Sequence, residues 1–564
     1  MLYGVWGLCD LVQTTKCGEA ISPDLELQII EERLINPTLS PSKMLEKFDL
    51  KCSTSNMKKI YARWGLSRFK KPLPLRGIIP EPIPKSIEKP SIARQSAKTL
   101  FPQLIEEKNL KVHNEFNELL KKLGRREVII SNPGAIIMAP FINQLGIVEA
   151  LHTYGPHSHL SGPITNNIIV NVLRTIVGFP SINDFTLNSD RSVAIGSGLT
   201  LNPTKTRFYE FFDELRFRHL ENLRNDAACR AHELGIIEGK EIAVDYHCDP
   251  SDSRYPHDKM FSKAPDKAGD LVYAHRPQIL WDSATNSIIN IAYCQGNSRA
   301  PTALYNFCEN NLFKIIDPAV IKEIYADSEY TGEKQLIYLV DRTTTDVTMC
   351  LKQNPKIRRW REETVKTDRW IPYGETYQII TKDFNLAETG KPFRFVVKKH
   401  NITGEIRCFG STHIDYSPLK ILEQYHLRWP VETGIKDLIT NYFLNNPPGT
   451  SPEKVEMHYY CIMLARLAVD YFLFSFMEQK WKQSEEWDCV LSTLRTTIFS
   501  NQSCKLGLND SGDLLLTYLD GDNLGVKAHL RDLLKQRTET GMNKVPWWGN
   551  RGVQVQFVDQ YENS

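Results

Sequence analysis

Apolar residues recur at two periods along this chain, and the change from one to the other divides it. From residue 22 to about 235 the period is helical. "SPDLELQIIEERLI" opens on Ser-Pro-Asp and carries apolar positions three and four apart. "SPSKMLEKFDLKCSTSNMKKIYARWGL" reads as a helix from about Ser42, a turn around Phe48–Cys52 and a second helix from Ser53 to Trp64. Its apolar contacts are Met44, Leu45, Phe48, Met57, Ile60 and Tyr61, the organisation of a helix-turn-helix. Residues 72–91 hold six prolines and read as a semi-extended linker. A long helix is predicted over Leu104–Leu123, ending at Gly124, and residues 127–235 read as mostly helical.

At Gly239 the period shortens. "KEIAVDYH" predicts a short apolar strand ending in acids, and residues 269–297 predict two more around a turn at Ala284–Asn286. A helix near Thr302–Leu312 and a strand in "VIKEIYADSEY" follow, so an α/β domain is under way. Residues 332–416 break the alternation. "YQIITKDF", "FRFVVKKH" and "EIRCFGST" are strand-like, with turns at Glu388–Pro392 and Asn401–Gly404, and predict a β-rich insertion. Helix resumes at Ser417–Pro418, a cap followed by proline at the first helical position, and is predicted to carry on to about residue 480. The last 75 residues mix helix and short strands.

Length and charge refine this picture. At 564 residues the chain exceeds what one core serves, so three or four domains are expected. Net charge is only +2, so partners must be read from local charge. Between Ser40 and Arg76 stand ten basic residues against Glu46 and Asp49 alone, a footprint for phosphate backbone. Ser53, Ser55, Asn56, Lys58, Lys59, Arg63, Arg68, Lys70 and Lys71 are the candidate DNA-contacting residues; a solvated helical face is the bland alternative. A second basic cluster, Lys352, Lys356, Arg358 and Arg359, reads equally as a polyanion contact or a solvated surface. Twelve cysteines without zinc spacing read as buried thiols of a reducing compartment. The N-terminus lacks a basic segment and carries Asp10, and the apolar stretch Met463–Met477 contains Arg466 and Asp470 and reads as too short and polar to span a bilayer. A cytoplasmic protein without a membrane partner is expected.

Two acids then carry the chemistry. Asp245 ends the strand "EIAVD" and Asp327 ends "EIYAD", at the carboxyl edge where open α/β sheets build sites. Two such carboxylates with a third from a helix form a hard oxygen site suited to Mg²⁺ or Mn²⁺. Two ions held there can support in-line phosphoryl displacement. A bare pair of strand-end aspartates is otherwise common turn chemistry. The third acid comes from "QYHLRWPVETGIKDL". Tyr425, Arg428, Glu432 and Lys436 stand there at spacings of three, four and four, which on one helix would share a face. Pro430 fits the first turn of a fresh or kinked helix.

These motifs together resemble the DDE transposases of bacterial insertion sequences, in the branch with a Tyr-Arg-Glu-Lys signature and a β-strand insertion. "IAVDYH", "IYADSEYTG" and "YHLRWPVETGIK" carry the likeness, over roughly residues 130–480. The resemblance implies a ribonuclease H-like mixed sheet flanked by helices within a multidomain α/β chain. Its parts would be 1–71, helix-turn-helix region; 72–103, linker; 104–235, helical region; 236–331, first part of the core; 332–416, insertion; 417–485, second part with the glutamate helix; and 486–564, a C-terminal region without an assigned role. It implies Asp245, Asp327 and Glu432 as the catalytic, metal-holding acids for two Mg²⁺ ions, with Mn²⁺ able to substitute. Tyr425, Arg428 and Lys436 would hold DNA phosphates. The family's lysine usually lies seven residues after the glutamate; Ile439 stands there, and Lys436 is the nearest substitute. A salt bridge to Glu432 is the alternative reading of Arg428.

The implied activity is metal-dependent DNA cleavage and strand transfer on the element's terminal inverted repeats. Double-stranded DNA, as repeat and as target, and a second copy of the chain in a synaptic complex are the implied partners, with the protein nucleoid-associated when bound. A DNA-binding descendant without cleavage, or another ribonuclease H-like nuclease, is the alternative. Among neighbouring residues, His247 reads as a loop hydrogen-bonding group, with contact to DNA or metal as the alternative, Asp249-Pro250 as a turn, Glu329 as a substitute ligand, and Asp470 as a partner of Arg466.

Overall fold

The computed structural model describes residues 102–557 apart from 155–163, 213–216, 251–261, 266–270, 295–299, 332–344, 387–389, 477–490, 493, 501–503 and 520–523. Ahead of these it describes residues 36, 39–50, 54–63 and scattered positions from 25 to 33. The chain forms two compact units, Met1–Glu107 and Lys108–Ser564.

In the first unit, α1 (Pro41–Lys47) starts at Ser40, whose side chain accepts from the Lys43 amide, with proline inside the first turn. A turn through Asp49 leads toward α2 (Thr54–Arg63). Met44, Met57, Ile60 and Tyr61 are buried together, with Leu45 and Phe48 against them. The six apolar positions read from sequence thus form this small core. Lys58 is exposed, whereas Ser53, Arg68, Lys70 and Lys71, and the side chains of Ser55, Asn56, Lys59 and Arg63, lie outside the described residues.

The second unit opens with α3 (Pro102–Leu123) and β1 (Val128–Ile130). A helical layer follows: α4 (Gly134–Gln144), α5 (Ile147–Tyr154), α6 (Ile164–Ile176), α7 (Ile182–Asn188), α8 (Ser192–Gly196), α9 (Lys205–Phe212) and α10 (Phe217–Glu233). Next come β2 (Glu241–Tyr246), β3 (Asp249–Pro250), β4 (Ser262–Pro265), β5 (Leu271–His275), β6 (Gln278–Asp282) and β7 (Ser287–Ala292). Helix α11 (Ala300–Phe307) returns the chain to β8 (Glu323–Ala326) and β9 (Asp346–Leu351). Then come α12 (Pro355–Val365), β10 (Ile371–Tyr373), β11 (Tyr377–Asn385), β12 (Pro392–His400) and β13 (Ile406–Ser411). The chain continues with α13 (Pro418–His426), α14 (Trp429–Asn441), α15 (Pro452–Phe476), β14 (Cys504–Leu508), β15 (Leu514–Tyr518), α16 (Leu524–Glu539) and β16 (Val553–Phe557).

One nine-stranded sheet dominates, in the order β10-β11-β12-β13-β9-β8-β2-β6-β7. Strands β2, β8 and β9 run parallel to one another; the other pairings are antiparallel. Four expectations change here. Residues 269–297 give three strands, because Pro277 cannot extend the ladder; β5 turns away into a small sheet ordered β3-β5-β4. Asp249 is accordingly no turn residue. It lies in β3, buried, and accepts from the Tyr459 hydroxyl at 3.3 Å. The β-rich stretch does not stand apart either. β9 joins β8, and β13 covers the edge of β9, so β10–β13 extend the main sheet and satisfy an edge that would otherwise be open. The helix expected from Ser417 to about residue 480 is three helices, α13, α14 and α15.

Helix α15 has 25 residues and is long and apolar enough by composition to cross a membrane, so it is not too short. It is instead buried around nearly its whole circumference against α4, α6, α10 and β7. Arg224 of α10 pairs with Glu456 of α15 and donates to Asn290 of β7 at 3.1 Å, so these two buried charges compensate each other. The C-terminal strands form a sheet with β1 in the order β1-β14-β15-β16. The tail docks through Trp547 and Trp548, whose indoles donate to the carbonyls of Gly196 and Ile195 at 2.9 and 2.8 Å. The described cysteines are all thiols, half of them fully buried.

Candidate active site

The two aspartates meet because their strands do. Val244 of β2 lies opposite Ala326 of β8 in a parallel register, so the next residue of each, Asp245 and Asp327, emerges at the same carboxyl edge. The apolar positions before them are fully buried and fix that register. Asp245 still belongs to β2, and its carboxylate accepts its neighbour Tyr246's amide at 2.8 Å. Asp327 follows β8 in extended backbone and opens a short helical turn at Ser328–Tyr330.

The third acid arrives across a helix break. Ser417 caps α13 by accepting from the Lys420 amide at 3.2 Å. Leu427 and Arg428 then turn the chain, and α14 starts at Trp429 with Pro430 in its first turn. Ser283, in the β6–β7 turn, donates to the Leu427 carbonyl at 2.7 Å and ties down the break. Tyr425 is therefore on one helix and Glu432 and Lys436 on the next, so the polar ladder is not one helical face. The kink nevertheless folds the first three rungs together.

Arg428 makes the connection. Its Nη2 donates to Glu432 Oε1, its Nη1 to Asp245 Oδ2 at 3.2 Å and its Nε to the Tyr425 hydroxyl at 2.9 Å. The Tyr425 hydroxyl in turn donates to Asp327 Oδ1 at 3.3 Å. Three acids from two strands and a helix are thus joined through one arginine and one tyrosine. The salt bridge of Arg428 to Glu432 is thus present, alongside its contacts to Asp245 and Tyr425. Burial pushes the Asp245 carboxyl up to about 7, against the opposing pull of Arg428 and the Tyr246 amide. Burial also holds the Tyr425 phenol well above its usual range.

The remaining candidates are placed more simply. Lys436 is exposed one turn beyond Glu432, while Ile439 is half-buried against the core and offers no charge. His247 Nε2 meets Asn445 Oδ1 at 2.7 Å, and Glu329 pairs with Arg276 and not with the acids. Asp470 is bound by Arg466. Arg358 and Arg359 are exposed on α12, where Lys356 lies 4.7 Å over the Trp360 ring. Sequence reasoning passed over Ser283, Arg276 and Gly434. A β-carbon on Gly434 would fall 2.4 Å from the Trp281 ring, so glycine sets how closely α14 approaches β6.

The donor set is all oxygen, which suits a hard divalent ion. Among the described residues, however, no three acidic, histidine or cysteine side chains are grouped closely enough to hold a metal ion. Arg428 takes the place of a cation between Asp245 and Glu432, which supplies the compensation that adjoining carboxylates need. The donors fit the ion once that arginine turns elsewhere.

Residues 234–468 match the family Transposase DDE domain. That span contains all three acids and the Tyr-Arg-Glu block, and the chain is a DNA transposase, a metal-dependent enzyme that cleaves DNA. Among solved structures it is similar to the piggyBac transposase synaptic complex with hairpin DNA, at 14% identity and a TM-score of 0.36 over 69% of this chain and 90% of that one. No curated protein sequence matches it.

Proposed function

We propose that this chain is a cut-and-paste transposase of the insertion-sequence type, with a ribonuclease H-like core, acting on the terminal inverted repeats of its own element. The observation that carries the reading is the gathering of Asp245, Asp327 and Glu432 at one sheet edge through Arg428 and Tyr425. The strand order β7-β6-β2-β8-β9, parallel only across β2, β8 and β9, supports the core assignment. The basic first unit, with Lys58 exposed on α2, supports the repeat-binding role.

In this reading Asp245, Asp327 and Glu432 hold two Mg²⁺ ions, or Mn²⁺ in their place. The ions supply Lewis-acid stabilisation of charge on phosphate oxygens and an activated water or 3′-hydroxyl. Arg428 exchanges its carboxylates for a DNA phosphate, which its planar fork matches. Tyr425 fixes the guanidinium from behind, and Lys436 reaches the strand one turn on. A second copy of the chain pairs the two element ends, in the cytoplasm on the nucleoid.

The test is a duplex bearing the element's end, incubated with Mg²⁺ or Mn²⁺. Nicking at the end, followed by joining of the 3′-hydroxyl to target DNA, is expected, with both lost in Asp245→Ala. Tight binding of the end by wild type without any cleavage would overturn the reading in favour of a DNA-binding descendant. Cleavage directed by DNA shape alone, without need of the terminal repeat, would favour a different nuclease.

A further inference from the structure

Helix α14 carries Glu432 near its start, and its last carbonyl is held from outside the matched domain. Its beginning is tied by Ser283 to the Leu427 carbonyl, and its middle by Gly434 against Trp281 and by Asp437 against Arg466. All of these lie within residues 234–468. Its last carbonyl, Asn441, accepts instead from Arg495 Nη2 at 2.5 Å. Arg495 belongs to the C-terminal region, in a wide helical turn spanning Arg495–Phe499. The same side chain donates through Nη2 to Thr175 at 2.7 Å and through Nε to Ile176 at 2.8 Å, the closing carbonyls of α6. One guanidinium therefore satisfies the orphan carbonyls of two helices and places its charge at the negative ends of both dipoles. The Phe443 ring lies under it at 5.5 Å.

We propose that Arg495 is a positioning residue for Glu432, and that the C-terminal region serves the active site by locking the end of α14 to α6. From Asn441 back to Glu432 is nine residues of continuous helix, about 14 Å. Without that guanidinium the last turn of α14 would rest on packing and on His458 at the Phe443 carbonyl, and added freedom there would reach the carboxylate at the sheet edge. Metal-holding carboxylates depend on such outer supports for their orientation. Packing alone would not require a charged side chain here; the guanidinium donates to three backbone carbonyls.

The inference rests on Glu432 as an active-site acid, and Arg495→Met and Arg495→Lys test it in the full chain. Hydrogen exchange of the α14 amides, Mn²⁺ binding read by electron paramagnetic resonance, duplex affinity and the Mn²⁺ concentration for half-maximal cleavage are followed together. In Arg495→Met, roughly tenfold faster exchange confined to α14 and α6 is expected. A roughly tenfold higher Mn²⁺ requirement, with duplex affinity unchanged, is expected alongside it. Arg495→Lys, which keeps the charge and some donors, should fall between the two, and it carries the test if Arg495→Met does not fold. Unchanged α14 exchange with unchanged Mn²⁺ affinity would overturn the proposal, as would a general loss of protection without any change in Mn²⁺ affinity. If wild type cuts no end-bearing duplex, the transposition reading fails by itself; exchange and Mn²⁺ binding still decide on Arg495.

Discussion

The two ends of α14 hold nearly the same chemistry and treat it differently. At its start Arg428 sits between Asp245 and Glu432; toward its end Arg466 sits between Asp437 and Asp470. The first cluster opens to water on its Glu432 side, with that side chain 38% exposed. The second is sealed, with Asp470 wholly buried, the Asn286 carbonyl accepting from Arg466 at 3.1 Å, and the Trp281 ring 5.2 Å from the guanidinium. An arginine between two carboxylates is therefore not itself a functional signature. An open cluster can trade its arginine for a metal ion or a phosphate, because the departing charge finds water. A sealed one cannot, because any unpaired charge stays in a poorly polarisable interior.

Removing each arginine would break the comparison most directly. Arg466→Met leaves Asp437 and Asp470 facing each other without a cation, and should cost about 3–5 kcal/mol, a loss typical of a broken buried pair. Arg428→Met should cost less, about 1–2 kcal/mol, since Glu432 can rehydrate and Asp245, already pushed up to about 7, can take up a proton, while abolishing end cleavage. Urea midpoints of the two variants, read beside their cleavage rates, check this. Equal stability losses would show the two ends to be one kind of site.

The close approach at Gly434 comes next. Gly434→Ala drives a β-carbon into the face of Trp281, which is packed and cannot swing aside. The helix must lift, at about 1–3 kcal/mol, and Glu432 lifts with it. A cleavage rate that falls while duplex affinity holds is expected. Wild-type cleavage in a stable Gly434→Ala protein would mean that the spacing of α14 from the sheet does not set the acid.

How much of this was legible beforehand follows the reach of each contact. Asp245, Asp327 and Glu432 could be named because a strand-end acid and a Tyr-Arg-Glu block are local patterns. The break at Leu427 hid the geometry: spacing alone put Tyr425 and Glu432 on one face, whereas a kink brings them together from two helices. Strand β9, "DVTMCL", carries little period-two alternation because both faces are covered, and so it was absorbed into the insertion. β1 pairs with β14, Val128 lying opposite Leu506, a partner no local pattern could supply. Arg495 and Ser283 likewise act through partners distant in sequence, as does Arg466 toward Asp437, whereas its i,i+4 pairing with Asp470 is a local pattern that the sequence shows.

The sealed end should also be the acid-labile one. His458 is buried, its Nε2 donating to the Phe443 carbonyl at 3.0 Å, and burial pulls its pKa down to about 3. In the unfolded chain the ring titrates near about 6.5. Between those values the unfolded state binds the extra proton, so stability falls as pH drops below about 6.5 and the loss deepens toward pH 3. From pH 6.5 to 5 this amounts to about 2 kcal/mol. His458→Gln should flatten that slope in pH-dependent urea unfolding; an unchanged slope would place the acid sensitivity elsewhere.

The smallest effect isolates the backbone at the same end. Phe443 follows the C-cap of α14 with φ at 62°, in the left-handed region where a bulky side chain is an outlier. Its conformation is over-determined: Leu444 donates back to Leu438 at 3.0 Å, His458 holds the carbonyl, and Arg495 lies over the ring. Phe443→Ala and Phe443→Gly both delete the ring and its contact with Arg495, so their difference reads the backbone alone. In an ordinary helical position alanine is the more stable by about 0.5–1 kcal/mol. Here the order should reverse, with Phe443→Gly more stable than Phe443→Ala by about 1 kcal/mol. Alanine equal to or better than glycine at 443 would mean that the turn relaxes when the ring is gone. The end of α14 would then be held by Arg495 and its neighbours without any stored strain.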